Sequence, residues 1–238
     1  MARWKLGGAQ SPNACLNALP PKDYRHVRAS GDIVELDYGH ILRGPGEPIT
    51  SAWFPLSAIV SLQLLLAVGG EIEVAMVGRE GMVGATLVLA AVSTNGREIV
   101  QVAGSALCIE VETFRRLLSK VTSLQAVTQR STEALLAVTA QNIGCLRSHT
   151  IPQRAAHWLL LTHDRMGSDR FDVTQTFLAQ VLQVRRASVS EAQSRLQLQG
   201  YIRYSRGSVE IIDREALETL SCECYWTIRK LFEERVHV

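Results

Sequence analysis

The chain lacks most of the features that would place it at once. Its longest apolar stretch, residues 81–92, is twelve residues, well short of the roughly 20 that a membrane helix needs. Residues 1–10 carry positive charge but no apolar core of the kind a signal peptide requires, so a cytoplasmic protein with no membrane partner is expected. There is no Gly-rich phosphate loop, no Gly-x-Ser-x-Gly elbow and no His-Glu-x-x-His pair, and the commonest enzyme signatures are therefore absent. The glycines of Gly78-Arg-Glu-Gly-Met-Val-Gly84 fit no nucleotide fingerprint. Cysteines are few and odd in number, at 15, 108, 145, 222 and 224, with no recurring spacing. That fits reduced thiols better than a disulfide scaffold, and it leaves redox sensing open.

What is present is globular composition: 238 residues, 47% hydrophobic, 20% charged, net charge +2. The length suits one large domain or two modest ones. The charge is unevenly spread. Between Arg170 and Ser208 six arginines face two acids, a local +4 on a nearly neutral chain. A basic segment of this kind is the electrostatic footprint of a nucleic-acid module, or else a solvated face.

Residues from about 30 to 110 read as short strands cut by Gly39, Gly44-Pro45-Gly46, Pro48 and Pro55, the pattern of an antiparallel sandwich or barrel. Leu62–Val68 and Glu71–Val77 flank the turn pair Gly69-Gly70, and Asn95-Gly96 signals a second hairpin with a type I′ turn. From Thr113 to His149 there is no proline and one glycine, while Leu117, Leu124, Val127, Leu135, Val138 and Ile143 recur at helical intervals. A helix, or two joined ones, with so few charges on its other face is expected to pack against another subunit, or else to lie on its own β domain. Thr150 and Pro152 then mark the start of a new helix.

The segment 171–200 carries the chemistry. Thr174 caps a short helix with Leu178, Val181 and Leu182 inward, Val184 sits in a turn, and a second helix starts near Arg185 or Arg186 with Val189, Ala192, Leu196 and Leu198 as its apolar positions. This is a helix-turn-helix. Its second helix opens with Arg185, Arg186, Ser188 and Glu191, residue types that address base edges and phosphates. Residues 201–212 read as a hairpin around Ser205-Arg206-Gly207-Ser208, a wing whose tip puts Arg206 against phosphate.

The run Leu178-Ala-Gln-Val-Leu-Gln-Val-Arg-Arg-Ala-Ser-Val-Ser-Glu-Ala192, with Leu196-Gln-Leu-Gln-Gly-Tyr-Ile202, resembles the bacterial cyclic-AMP receptor and fumarate-nitrate regulator (CRP/FNR) family of transcription factors. Gly46-Glu47-Pro48, Trp53-Phe54-Pro55 and Val77–Gly84 look like a subgroup of it. The resemblance covers nearly the whole chain. It implies an α+β fold: an antiparallel β-roll sensor domain over 1–112, a dimerisation helix over 113–149 and a winged helix-turn-helix domain over 150–238. It further implies a homodimer on palindromic double-stranded DNA, and an RNA polymerase contact. By position, Thr174 and Gln175 face phosphate, and Arg185, Arg186, Ser188, Val189 and Glu191 face bases. Gln183 departs from the family, standing where a glycine is usual, and Ala187 and Glu191 also differ from its best-known member.

Gly84 and Arg97 match the family's effector-site positions. However, Gly84 is followed by Ala85 instead of Glu, and Arg97 by Glu98 instead of Ser or Thr. Losing the ribose acceptor and adding a carboxylate should oppose an anionic ligand, so tight cyclic-AMP binding is not expected and the effector is undetermined. Cys15 stands alone where the iron-sulfur branch needs a cluster. His26, His40 and Cys15 leave haem ligation open, although as ordinary surface residues they need no such role. Cys222 and Cys224, taken as i and i+2 on one helix, should diverge by about 200° and share no metal. No cofactor or metal is expected. The competing reading is a small-molecule-binding module whose winged helix contacts protein.

Overall fold

A computed structural model describes residues 7–67 and 70–236. Two short helices, α1 (Ala14–Asn17) and α2 (Pro21–Arg28), lead into seven strands: β1 (Asp32–Leu36), β2 (Ile41–Arg43), β3 (Ser51–Pro55), β4 (Ile59–Leu65), β5 (Glu71–Val77), β6 (Arg97–Val102) and β7 (Gly104–Glu110). They form two antiparallel sheets, ordered β1-β7-β3 and β2-β6-β4-β5. Alternation explains the packing. In β3, Ala52 and Phe54 are fully buried while Ser51 and Trp53 are half-buried, as a strand with one face on the core requires.

The β4–β5 hairpin forms, with Leu65 opposite Glu71; Gly69 lies outside the described residues. The second turn forecast does not hold. Asn95 and Gly96 both lack positive φ, so no type I′ turn forms there. Gly96 is needed for a different reason: a Cβ on it would meet the Gln63 carbonyl oxygen at 2.7 Å, so only a bare α-carbon lets this segment lie against β4.

The helical stretch is two helices, α3 (Val111–Lys120) and α4 (Thr122–Ser148), parted at Val121. One face of α4, with Leu124, Val127, Ser131, Ala134, Val138 and Cys145, is buried. On the other face Leu136 and Ile143 are 62% and 66% exposed. α5 (Ile151–Met166) follows at once; the Thr150 amide donates to Gln153 Oε1 at 3.0 Å, and Pro152 sits in the first turn. The remaining elements are β8 (Arg170–Asp172), α6 (Gln175–Leu182), α7 (Arg186–Leu198), β9 (Ile202–Ser205), β10 (Ser208–Ile211), α8 (Arg214–Leu220) and α9 (Cys224–Val236).

The two halves of the chain share one core, which runs continuously from Ala14 to Phe232. Charged contacts cross it as well. Arg165 Nε donates to Glu80 Oε1 at 2.7 Å with both side chains buried, and Trp158 Nε1 donates to Glu73 Oε1 at 3.3 Å. Removing one member of the Arg165–Glu80 pair would strand a buried charge, at a cost of about 3–5 kcal/mol.

Candidate nucleic-acid interface and effector cavity

Local chemistry builds the helix pair α6–α7. Thr174 Oγ1 accepts from the Phe177 amide at 3.1 Å, a cap worth about 1 kcal/mol. Leu178, Val181 and Leu182 of α6 and Leu196 of α7 belong to the same buried core. Gln175 Nε2 donates to Gln193 Oε1 at 3.0 Å and ties the two helices together. Between them Gln183 adopts φ 50°, ψ 50°, the left-handed conformation that a glycine would take more cheaply. Val184 then tucks back, its amide donating to the Ala179 carbonyl at 3.0 Å.

Arg185, Arg186 and Ala187 are exposed at the start of α7, with Ser188 half-buried beside them. The positive end of the helix dipole lies at the same place. Among the described residues no carboxylate pairs with Arg185, Arg186 or Arg206. Ser205 pairs with Ser208 across the β9–β10 turn, and Arg206 and Gly207 take φ 49° and 82°, so both central residues have the positive φ of a primed two-residue hairpin turn. Arg206 is thereby held out at the tip.

Two positions need correction. Val189 is completely buried in the first turns of α7, so it packs beneath the exposed Arg185, Arg186 and Ala187 and cannot itself contact a base. Leu198, read as an apolar core position, is 88% exposed, because α7 ends there and its side chain lies off the packed face. Glu191 is exposed and pairs with Arg195 at 2.8 Å, an i,i+4 contact worth only about 0.3–0.5 kcal/mol and easily given up to a better partner.

In the β-roll, Gly84 and Arg97 line one cavity of about 410 Å³, together with Leu62, Ala85, Glu98 and Leu135. Arg97 is already engaged: its guanidinium meets Glu71 at 2.6 Å and donates to Gln63 Oε1 at 2.6 Å. Glu98 pairs with buried Arg43 at 2.6 Å, and burial pushes its carboxyl up to about 7 against the pull of Arg43. Ala85 leaves its carbonyl to accept from Thr132 Oγ1 of α4 at 3.2 Å, which couples the cavity wall to the long helix. Cys15 is buried, and desolvation pushes its thiol up to about 12.

The cysteine geometry differs from the expectation. Cys222 lies in the link before α9, and only Cys224 is helical, so the i,i+2 divergence on one helix does not apply. Both thiols meet Cys145 and His149 at the end of α4. Cys145 Sγ and Cys222 Sγ lie in hydrogen-bond contact at 3.6 Å, and this contact chiefly holds the Cys222 thiol down while Cys145 is raised. Cys145-x-x-x-His149 at helical i,i+4 spacing and Cys222-x-Cys224 are the available sequence signals; what no spacing supplies is their meeting across 72 intervening residues.

Residues 153–220 match the model of the Crp-like helix-turn-helix domain. No curated protein matches the sequence. Among solved structures, FixK2 from Bradyrhizobium japonicum is similar at TM-score 0.70 and 16% identity, over 81% of this chain and 98% of that one. TTHB099, a CRP-family transcriptional regulator from Thermus thermophilus, gives 0.64 and 17% over 79% and 96%. A CooA variant from Carboxydothermus hydrogenoformans gives 0.63 and 15% over 92% and 99%. At these identities the likeness establishes the fold. No helix among the described residues is long and apolar enough to cross a membrane.

Proposed function

Since residues 153–220 form a Crp-like helix-turn-helix domain within a chain of the CRP/FNR fold, we propose that the protein is a transcriptional regulator, not an enzyme, acting as a homodimer on a palindromic operator in the cytoplasm. The observation that carries this reading is that Arg185 and Arg186 at a helix start and Arg206 at a wing tip are all exposed, with no carboxylate paired to them among the described residues. Arg185 and Arg186 can offer bidentate forks to guanine, with Ser188 and Glu191 beside them, while Thr174, Gln175 and Arg206 face phosphate. The exposed Leu136 and Ile143, seven residues apart on α4, support pairing of two long helices. Two recognition helices would then enter successive major grooves about 34 Å apart.

In this reading residues 1–112 sense, 113–149 dimerise and 150–238 bind DNA, with the pivot at His149–Pro152. The cavity at Gly84 and Arg97 is a poor cyclic-AMP site because its one cation is held by Glu71 and Gln63. An RNA polymerase contact belongs to the same reading. Selection from a random duplex library at two salt concentrations tests it. Enrichment of a two-fold-symmetric motif, with affinity falling as salt rises, is expected. Binding that ignores salt and enriches no motif would instead favour a winged helix that contacts protein.

A further inference from the structure

The end of α4 and the link before α9 bring four ligand-bearing side chains to one point. The thiols of Cys145, Cys222 and Cys224 and a ring nitrogen of His149 lie within 4.8 Å of one another. Cys145 Sγ is 3.6 Å from Cys222 Sγ, and Cys224 Sγ is 3.6 Å from His149 Nδ1. A zinc ion bound at about 2.3 Å to sulfur and about 2.0–2.1 Å to nitrogen has tetrahedral edges of about 3.8 Å between thiolates and about 3.6 Å between thiolate and imidazole. These two edges match those figures, and the remaining separations are all within 4.8 Å. A disulfide needs its sulfurs at about 2.05 Å, and an iron-sulfur cluster spreads its cysteines around a polynuclear core; neither fits as well as one ion.

The surroundings are those of a metal site. His149 Nε2 lies 3.1 Å from the Glu223 carboxylate, which fixes the proton on that nitrogen and turns the Nδ1 lone pair toward the thiols. Gln141 Nε2 donates to Cys224 Sγ at 3.0 Å, and His157 Nδ1 stands 3.6 Å from Cys222 Sγ. The three cysteines are at most 6% exposed. Three thiolates around a divalent cation leave one negative charge, and Arg154 lies close enough to interact with Cys145 and Cys222.

We propose that Cys145, His149, Cys222 and Cys224 bind a single tetrahedral, thiophilic divalent cation, Zn²⁺, which fastens the end of α4 to the start of α9. Because His149 closes α4 and Thr150 begins the next helix, the ion sits at the joint between the long helix and the C-terminal domain. It limits rotation there. Binding releases the thiol protons and stabilises the folded chain, since the unfolded chain does not assemble these ligands.

The test is cobalt titration of the reduced, chelator-treated full chain, which involves no DNA and so is independent of the operator reading. One equivalent of Co²⁺ should give the visible d–d bands of a tetrahedral site and a near-ultraviolet thiolate charge-transfer band, both erased by one equivalent of Zn²⁺. Cys222→Ser should weaken zinc by at least about 100-fold, and Glu223→Gln, at an exposed position, by about 10-fold. Cys15→Ser and Cys108→Ser should leave affinity unchanged. Circular dichroism confirms that each variant is folded. Absence of one-to-one tetrahedral binding in the wild-type chain would overturn the proposal, showing the cysteines to be packing residues; so would full affinity in folded Cys222→Ser.

Discussion

Gln180 of α6 donates a hydrogen bond to the Glu71 carboxylate of β5 at 3.2 Å, and the same carboxylate holds Arg97 of the cavity at 2.6 Å. One side chain thus links the β-roll cavity to the helix-turn-helix. The end of the β4–β5 hairpin and the turn residues Gln183, Val184, Arg185 and Arg186 also line one cleft, so the hairpin stands beside the arginines assigned to DNA. Glu71→Ala removes the tether. A hydrogen bond of this kind is worth about 1 kcal/mol net, so operator affinity of the ligand-free protein should rise up to about fivefold. Fluorescence anisotropy on the selected operator measures it; unchanged or lower affinity means the hairpin does not restrain the domain.

The same substitution frees Arg97. With Glu71 gone, its remaining partner is Gln63, and the cavity regains a cation able to meet phosphate. Calorimetry with cyclic AMP should detect binding in Glu71→Ala that is weaker or absent in the wild type. If neither protein binds, the missing ribose acceptor at Ala85, more than the engaged arginine, closes the site to nucleotides.

Arg186→Ala and Arg206→Ala should differ in kind. Arg186 is assigned to a base edge, so its loss should cost about 1–3 kcal/mol on the operator and relax preference at one base pair. Arg206, at the wing tip, touches phosphate in this reading; its loss should weaken all sequences alike and reduce the salt slope by about one. Binding curves for operator and scrambled duplexes at several salt concentrations separate the two. Uniform loss in Arg186→Ala would reassign that residue to the backbone.

Glu73 gives the fold a pH dependence. It is buried, and desolvation pushes its carboxyl up to about 7 despite hydrogen bonds from Ser61 Oγ at 2.5 Å and Trp158 Nε1 at 3.3 Å and the field of Arg165. A carboxyl raised in the folded state holds its proton there while the unfolded chain has already lost it. Its contribution is therefore complete below about pH 4.5 and is lost as pH rises through 7, by about 3 kcal/mol in all. Urea unfolding at pH 5 and pH 8 should show wild type losing that much more than Glu73→Gln. Equal losses would mean that Glu73 is ionised throughout.

Local signals were the legible ones. Thr174, the apolar spacing of Leu178, Val181 and Leu182, and the Arg206-Gly207 turn act over a few residues, and the structure uses each as its chemistry suggests. Asn95-Gly96 misled because a turn dipeptide also serves where a chain needs a bare α-carbon for close approach, and the Gln63 carbonyl that demands it is 33 residues away. Position in a motif puts Val189 on the outer face, but the packing under α7 buries it. Cys222 differs from the helical expectation because α9 begins only two residues later, at Cys224.

Gln183 tests how the turn is held. Its φ of 50° lies in the left-handed region, which costs a residue with a β-carbon roughly 1–2 kcal/mol relative to glycine. The side chain is exposed, so little packing is lost on removing it. Gln183→Gly relieves the backbone strain but widens the conformational freedom of the unfolded chain, which offsets about 0.5–1 kcal/mol. The net should be a stabilisation of up to about 1 kcal/mol, read as a higher urea midpoint with an unchanged slope. Because Gln183 borders Arg185 and Arg186 in the cleft facing the hairpin, operator affinity should be measured alongside. A destabilised Gln183→Gly would mean that the glutamine side chain makes a contact that outweighs the strain of its own backbone.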